Sequence, residues 1–291
     1  MIAYLSNLAT QVAIFGILAA TLNFILGYAG IFSIAHAVFF GLGAYAGAQI
    51  ALLLVPDVVL ACIVAAAIAG GLSLCLALPA LRVRGEYFVA ASLGLQMVAV
   101  TLFSELKPLT GGIGGLVGIP LPTLFGVPVG VLPVALAALA LILLATALLA
   151  RGSFGRTLTA IRDAESAAEA LGKNVAAAKT LAVGFACAGA GVAGALYALH
   201  TSFVNVESFT MDYSVLMMAM VIIGGTGTLW GPLIGTVLLL SLPAALAFLP
   251  FLPATEVGAV QQIIIGLAMT LLMIFRPAGL VGDLSRGQTT A

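Results

Sequence analysis

Residues 151–179 read RGSFGRTLTAIRDAESAAEALGKNVAAAK and form the one long polar stretch of a strongly apolar chain. The stretch, called the polar loop below, holds five of the ten basic and three of the ten acidic residues. The whole chain is 63% hydrophobic and only 7% charged, whereas soluble domains carry roughly 25% charge. A bilayer solvates apolar side chains that a soluble surface could not hide. The sequence therefore predicts a polytopic integral membrane protein.

Long uninterrupted apolar runs indicate an all-α fold, because the strands of a membrane barrel would alternate polar and apolar residues. Each crossing helix needs about 20 residues to span the hydrocarbon core. Charges and Gly/Pro breaks predict about eight or nine crossings in a single transmembrane domain, 1–291. The candidate crossings are 8–28, 33–54, 58–79, 87–105, 128–150, 179–200, 213–228, 231–250 and 257–276.

The charges predict the orientation of these crossings, since cytoplasmic loops are enriched in Lys and Arg. Basic residues collect in three places: Arg82 with Arg84, the polar loop, and Arg276 with Arg286. The opposite loops carry mainly acidic residues, namely Asp57, Glu105, Lys107, Glu207, Asp212 and Glu256. We therefore expect the N-terminus outside and the C-terminus in the cytoplasm.

Glycines recur at the four-residue spacing that lets membrane helices approach closely. They do so at Gly43/Gly47, Gly126/Gly130 and Gly227/Gly231/Gly235. Two denser clusters predict helix breaks, one on each side of the membrane. Their members are Gly111, Gly112, Gly114 and Gly115, and Gly224, Gly225, Gly227, Gly231 and Pro232. Matched breaks on opposite faces suggest an inverted repeat, although ordinary turns also contain such residues.

Within the polar loop, apolar residues at three- and four-residue steps predict a short amphipathic helix from Thr157 onward. Its apolar face would consist of Leu158, Ile161, Ala164, Ala168 and Leu171, and Gly172 would end it. Such a helix could lie on lipid or dock into another protein. Its alanine-rich, charge-balanced composition favours protein docking.

Seven motifs, in order and in register, give the chain a family resemblance. They are GYAGIFSIAHAVFFGLGAY (27–45), RVRGEYF (82–88), TGGIGGL (110–116), GRTLTAIRDAESAAEALGKN (155–174), GVAGALYA (191–198), GGTGTLWGPLIG (224–235) and FRPAGL (275–280). The segment from Glu165 to Gly172 resembles the EAA-type coupling segment of bacterial ATP-binding-cassette permeases. Together the motifs resemble the membrane subunit of branched-chain amino-acid importers, although related subunits carry urea, short amides or aromatic acids.

The resemblance implies a permease in the bacterial inner membrane that works with other subunits. These would be a second, paralogous permease, two cytoplasmic ATPases that bind ATP and Mg, and a periplasmic substrate-binding protein. The polar loop would then be the cytoplasmic coupling loop, and the motif places the ATPase contact at Arg156, Arg162, Glu165, Ala168, Glu169, Leu171 and Gly172. The sequence contains no GxxxxGK[ST] motif of its own.

Polar residues within the crossings are candidates for a translocation pathway, because burying them in a bilayer is costly. These candidates are Ser33, His36, Tyr45, Ser92 and Gln96. The alternative for His36 and for Ser92 with Gln96 is hydrogen bonding between helices. The widely spaced Cys62, Cys75 and Cys187 are interpreted as packing residues. No catalytic or metal-binding residues are predicted, and a net charge of zero gives no indication of nucleic acid binding.

An ion-coupled carrier or a channel is the main alternative. Such a carrier commonly keeps a carboxylate midway through a crossing, whereas every Asp and Glu here is expected near a crossing end or in a loop. An intramembrane enzyme is disfavoured, since the sequence has no HExxH motif and no convincing nucleophile with a nearby base.

Overall fold

The computed structural model describes residues 2–80, 86–124, 126–247, 257–276 and 279–281. It confirms an all-α fold. The helices are α1 (Ile2–Asn23), continued by a π-helical turn (Phe24–Tyr28), α2 (His36–Leu53), α3 (Val58–Ala80), α4 (Glu86–Glu105), α5 (Lys107–Thr110), α6 (Val131–Arg151), α7 (Ser153–Asp163), α8 (Glu165–Ala170), α9 (Val175–Thr201), α10 (Met211–Gly224), α11 (Gly231–Ala247) and α12 (Val257–Phe275).

Short elements fill the connections. Two 3₁₀ turns cover Gly112–Gly114 and Val206–Phe209. The strands are β1 (Leu116–Val117), β2 (Thr123–Leu124), β3 (Val127–Pro128) and β4 (Phe203–Val204). They pair antiparallel as β1 with β4 and β2 with β3.

Each predicted crossing coincides with a helix. In the described part of the chain, five stretches are long and apolar enough to cross a membrane: Ala3–Tyr28, His36–Leu53, Tyr87–Glu105, Val131–Arg151 and Val175–Thr201. The apolar stretches described in α3, α10, α11 and α12 are shorter. Of the charged positions used for orientation, Arg82, Arg84, Glu256 and Arg286 lie outside the described residues.

Helix α9 forms the centre of the bundle and is 27 residues long, about 40 Å. One end, called the loop end, adjoins the polar loop, and the other is called the far end. At the far end the Asn7 side chain hydrogen-bonds His200, with Oδ1 and Nε2 2.9 Å apart. Helices α1 and α9 therefore run antiparallel, and we take Asn7 and Tyr28 as the far-end and loop-end boundaries of the first crossing, which is α1 with its π-helical turn.

Glycine contacts confirm part of the predicted packing. A Cβ at Gly43 would collide with the backbone of Gly191, and one at Gly47 would lie 2.7 Å from the Cβ of Ala195. Gly231 and Gly235 likewise allow the α11 backbone to pack closely against α10 and the turn that follows it, because a Cβ at either position would collide with that backbone. The prediction for Gly126/Gly130 is wrong, since a Cβ at either position would meet nothing within 4 Å. Those two residues lie in the β2–β3 turn and just before α6.

The two predicted breaks lie at opposite ends of the bundle. The first four glycines follow α5 at the far end, where Gly111, Gly112 and Gly115 have positive φ. At the loop end, Gly225 and Gly227 have positive φ in the turn after α10. Gly231 and Pro232 do not belong to that break, because they form the first turn of α11.

Two segments without α-helix, 29–35 and 202–210, carry the chain back into the bundle before the next helix begins. We call them the coils, although the second contains β4 and a 3₁₀ turn. His36, the first residue of α2, hydrogen-bonds Thr21 across 3.2 Å, so α2 starts about 10 Å inside the Tyr28 boundary. The ring of Tyr213, in the first turn of α10, stacks on Phe15 at 6.4 Å. These opposed helix–coil–helix units are the arrangement expected of an inverted repeat, which stays a prediction.

Candidate functional site

The polar loop forms two helices and not one. Helix α7 ends at Asp163, and Ala164, with φ −156° and ψ 88°, separates it from α8. The bend brings Ala168 against the bundle, where it is buried together with Leu158 and Ile161. The predicted apolar face is therefore wrong for two members: Ala164 is exposed and Leu171 is 81% exposed.

The predicted stop at Gly172 is confirmed. Gly172 adopts a left-handed φ of 78°, and its N–H donates to the Glu169 carbonyl at 2.9 Å. The Lys173 N–H reaches back to the Ala168 carbonyl at 3.1 Å. Asn174 then caps α9 by accepting a hydrogen bond from the Ala177 N–H at 3.0 Å. The loop is thus closed by a glycine stop and a side-chain cap.

The seven predicted contact residues divide into an outward and an inward group. Arg156, Glu169, Leu171 and Gly172 are exposed. Ala168 packs inward, and Glu165 forms an ion pair with Lys179 at 2.8 Å, which ties α8 to the start of α9. Arg162 is exposed as well, but its guanidinium hydrogen-bonds the Gly27 carbonyl of its own chain. We call Arg156, Glu169, Leu171 and Gly172 the loop surface.

Arg162 and Asn23 join three parts of the loop end. Arg162 Nη1 donates to the Gly27 carbonyl at 2.6 Å. Asn23 Nδ2 donates to the Thr228 carbonyl at 2.7 Å, and Asn23 Oδ1 accepts from the Gly227 N–H at 2.8 Å. We call these five residues the clasp. It connects α7, the π-helical end of α1 and the α10–α11 turn.

Asn23 was not singled out by sequence reasoning. It is 1% exposed and lies where α1 changes from α- to π-helix. A buried amide needs partners for both its donor and its acceptor, and here the α10–α11 turn supplies both. The available signal was an asparagine near the end of an otherwise apolar run.

The end of the FRPAGL motif (275–280) packs against the last turn of α10 at the loop end. The Leu280 N–H donates to the Ile223 carbonyl at 3.0 Å, and the Val281 N–H donates to the Gly224 carbonyl at 3.1 Å. The segment 279–281 therefore satisfies carbonyls that the end of α10 would leave unpaired. It also fastens the chain beyond α12 to α10.

The predicted pathway residues gather around the two re-entrant coils. Ser92 Oγ accepts from the Ile34 N–H at 3.1 Å, and Gln96 Nε2 donates to the Phe209 carbonyl at 2.6 Å. The Tyr45 ring lies 5.5 Å from that of Phe209. His36 bonds Thr21 as described, and Ser33 is half-buried in the first coil.

These contacts hold the coils to α1 and α4, so hydrogen bonding within the bundle is what the structure shows for His36, Ser92 and Gln96. A pathway role for the five residues stays a prediction. Tyr45 Oη and Gln96 Oε1 are buried and have no hydrogen-bond partner among the residues that the structure describes. Cys187 is buried and Cys62 half-buried, both as free thiols, as expected of packing residues. The Cys75 side chain is outside the described part.

A cleft of about 630 Å³ lies between α10 and α12. Polar groups line one part of it: Asp212, Tyr213, Gln261 and Gln262. Apolar side chains line the rest, including Leu216, Ile265 and Met269. The expectation that Asp212 belongs to an outer loop is wrong, because it lies in the first turn of α10 beside Tyr213. Within the described residues, no group of three His, Cys, Asp or Glu side chains could hold a metal ion.

Comparison with known proteins gives one family match. Residues 4–274 match the family described as "Branched-chain amino acid transport system / permease component". The chain is 29% identical over 306 residues to the high-affinity branched-chain amino acid transport system permease protein LivM of Salmonella typhimurium. It is 28% identical to the LivM protein of Escherichia coli K12. Each alignment covers 94% of this chain and 69% of the relative. No solved structure matches significantly.

Proposed function

Because this chain belongs to the branched-chain amino acid transport system permease family, we propose that it is the membrane subunit of an ATP-binding-cassette importer. Its cargo would be branched-chain or other hydrophobic amino acids, and the names of its relatives specify branched-chain amino acids. The observation that carries the proposal is the loop surface, where Leu171, just past the end of α8, is 81% exposed. Such an anchor fits a groove on a partner protein.

The importer would contain several further chains. Two cytoplasmic ATPases would bind ATP and Mg, a paralogous permease would complete the membrane unit, and a periplasmic binding protein would deliver the solute. The chain itself belongs to a family of transport subunits and not of enzymes. We place it in the bacterial inner membrane, surrounded by lipid, with its C-terminus and polar loop in the cytoplasm.

The clasp offers a route from the loop surface to the membrane helices. A π-helical turn often marks a functional site in a helix, and here it lies directly against Arg162 and Gly227. Movement of α7 would pull on the Gly27 carbonyl and, through Asn23, on the turn between α10 and α11. Closure of the ATPases would in this way change the positions of α1 and α10 together.

The decisive experiment is purification of the tagged chain in mild detergent, followed by uptake measurements in proteoliposomes. The expected result is co-purification of an ATPase, with L-leucine uptake abolished by replacing the ATPase's P-loop lysine. Leu171→Asp should remove the ATPase, whereas Ile113→Asp, at an exposed far-end position, should retain it. Uptake that persists without a functional ATPase would overturn the proposal.

An ion-coupled carrier remains the second candidate, favoured by the position of Asp212 part-way through the bundle. In that case uptake would follow an imposed ion gradient with the ATPase inactivated. Screening the co-purified binding protein against leucine, urea, short amides and aromatic acids would separate the cargo classes that the family includes.

A further inference from the structure

Asp212 lies part-way along the bundle axis, between the loop end and the far end. Its neighbour Tyr213 stacks on Phe15, which is about 12 Å along α1 from Asn7 and about 20 Å from Tyr28. From the other side, α10 is 14 residues long and ends at Gly224, next to the loop-end turn. The first measure places the Tyr213 ring more than about 10 Å from either boundary, and the second places the Asp212 backbone about 18 Å from the loop end.

A carboxylate at this depth is costly in hydrocarbon, so it normally faces water, a charged partner or a functional cavity. Asp212 is exposed on the surface of this chain and opens into the α10–α12 cleft. Its position in the first turn of α10 stabilises the helix dipole. An interaction with the helix dipole does not by itself explain why Gln261 and Gln262 line the same cleft on the facing helix α12.

The cleft has the composition of a small-molecule site. Its volume of about 630 Å³ falls within the roughly 300–1,000 Å³ that is usual for ligand pockets. The Asp212 carboxylate can accept hydrogen bonds from an ammonium group. The Gln261 and Gln262 amides can donate to a carboxylate, and Leu216, Ile265 and Met269 provide an apolar wall.

We propose that the α10–α12 cleft is the site where the permease contacts its solute, a zwitterion with an apolar side chain. Asp212 binds the ammonium group, the two glutamines face the carboxylate, and the apolar residues of the cleft contact the side chain of the solute. The inference rests on the proposed function for the identity of the solute class. The new element is that Asp212, Gln261 and Gln262 recognise the solute. These three residues lie away from the five pathway candidates around the coils.

Cysteine protection provides the first test. In a chain with Cys62, Cys75 and Cys187 changed to Ala, Ala259→Cys, at a cleft-lining position with no assigned part in binding, should react with a cationic, membrane-impermeant thiol reagent when assembled in the full complex. Saturating L-leucine should slow the reaction at least about fivefold. Labelling that leucine does not slow, or no labelling because lipid or a partner subunit covers the cleft, would overturn the assignment.

Uptake provides the second test. Asp212→Asn removes the charge with little change of shape and should lower L-leucine uptake at least about tenfold while ATPase co-purification is retained. Glu207→Gln, an exposed carboxylate outside the cleft, should transport normally. Equal uptake by the two variants would refute the inference. If uptake by the unaltered chain does not depend on the ATPase, the proposed function is refuted instead, while leucine protection of a cysteine at position 259 would persist.

Discussion

Arg162 donates a hydrogen bond from Nη1 to the carbonyl oxygen of Gly27 across 2.6 Å. The two residues belong to the polar loop and to the end of the first crossing helix, which are far apart in sequence. Arg162 also forms an ion pair with Asp163 at 2.9 Å, which holds the guanidinium in place. The side chain therefore links the loop to the helices, whatever else its exposed part contacts.

Replacing Arg162 should uncouple the loop from α1. Arg162→Gln keeps a long polar side chain but removes the charge-assisted donor, so we expect solute transported per ATP to fall at least about threefold with the complex intact. Lys173→Gln, in the same exposed loop, is the matched control and should keep the ratio. The measurement is simultaneous uptake and ATP hydrolysis in proteoliposomes. An unchanged ratio in Arg162→Gln would contradict a coupling role for the clasp.

Replacing Asn23 should destabilise the chain itself. Asn23→Leu removes the side-chain partner of the Gly227 N–H and of the Thr228 carbonyl, both half-buried, which costs up to about 1–3 kcal/mol for each group. Thermal unfolding in detergent, followed by tryptophan fluorescence of Trp230 near this turn, should shift to lower temperature. Asn7→Leu, an exposed position on the same helix, should shift it much less. Equal shifts would show that the Asn23 amide contributes no specific stabilisation.

Hydropathy and charge predicted the helices well, because a bilayer imposes a length and polarity that local sequence reveals. The break at Ala164 could not be predicted in this way. Alanine favours helix, and the bend depends on where α9 must begin. The depth of Asp212 was missed for a similar reason: charge next to an apolar run looks like a loop, whereas the coil 202–210 carries it back into the bundle.

The glycine spacing illustrates the same limit. Gly43/Gly47 and Gly126/Gly130 have identical spacing, yet only the first pair meets a facing backbone. Spacing reports which glycines could share a helix face and not whether another helix lies opposite. The clasp was likewise invisible in sequence, since it depends on Asn23 meeting Gly227 and Thr228 across the fold.

Leu171 and Leu158 should respond in opposite ways to substitution. Leu158 is fully buried, so Leu158→Ala should lower stability by about 2–5 kcal/mol. Leu171→Ala should change stability by no more than about 0.5 kcal/mol but weaken ATPase binding at least about fivefold. Thermal unfolding and quantitative pull-down measure the two effects. A large loss of stability in Leu171→Ala would show that this side chain is packed and not presented to a partner.

The contact between α2 and α9 should tolerate no side chain at Gly194. A Cβ there would collide with the α2 backbone at Phe40, so Gly194→Leu should greatly reduce the yield of monodisperse protein. Gly71→Leu is the control, because a Cβ at Gly71 meets nothing within 4 Å. Size-exclusion chromatography of the two fluorescently tagged variants compares them. A monodisperse Gly194→Leu variant would mean that the two helices are separated further than described.

The orientation can be tested by labelling single cysteines in intact cells. Ala164 lies in the polar loop and Ile113 at the far end, and both are exposed. In a chain with Cys62, Cys75 and Cys187 changed to Ala, an impermeant thiol reagent should label Ile113→Cys at once. Ala164→Cys should react only after the membrane is permeabilised, because basic loops stay in the cytoplasm. The reverse pattern would place the polar loop outside the cell, where no ATP-driven partner could reach it.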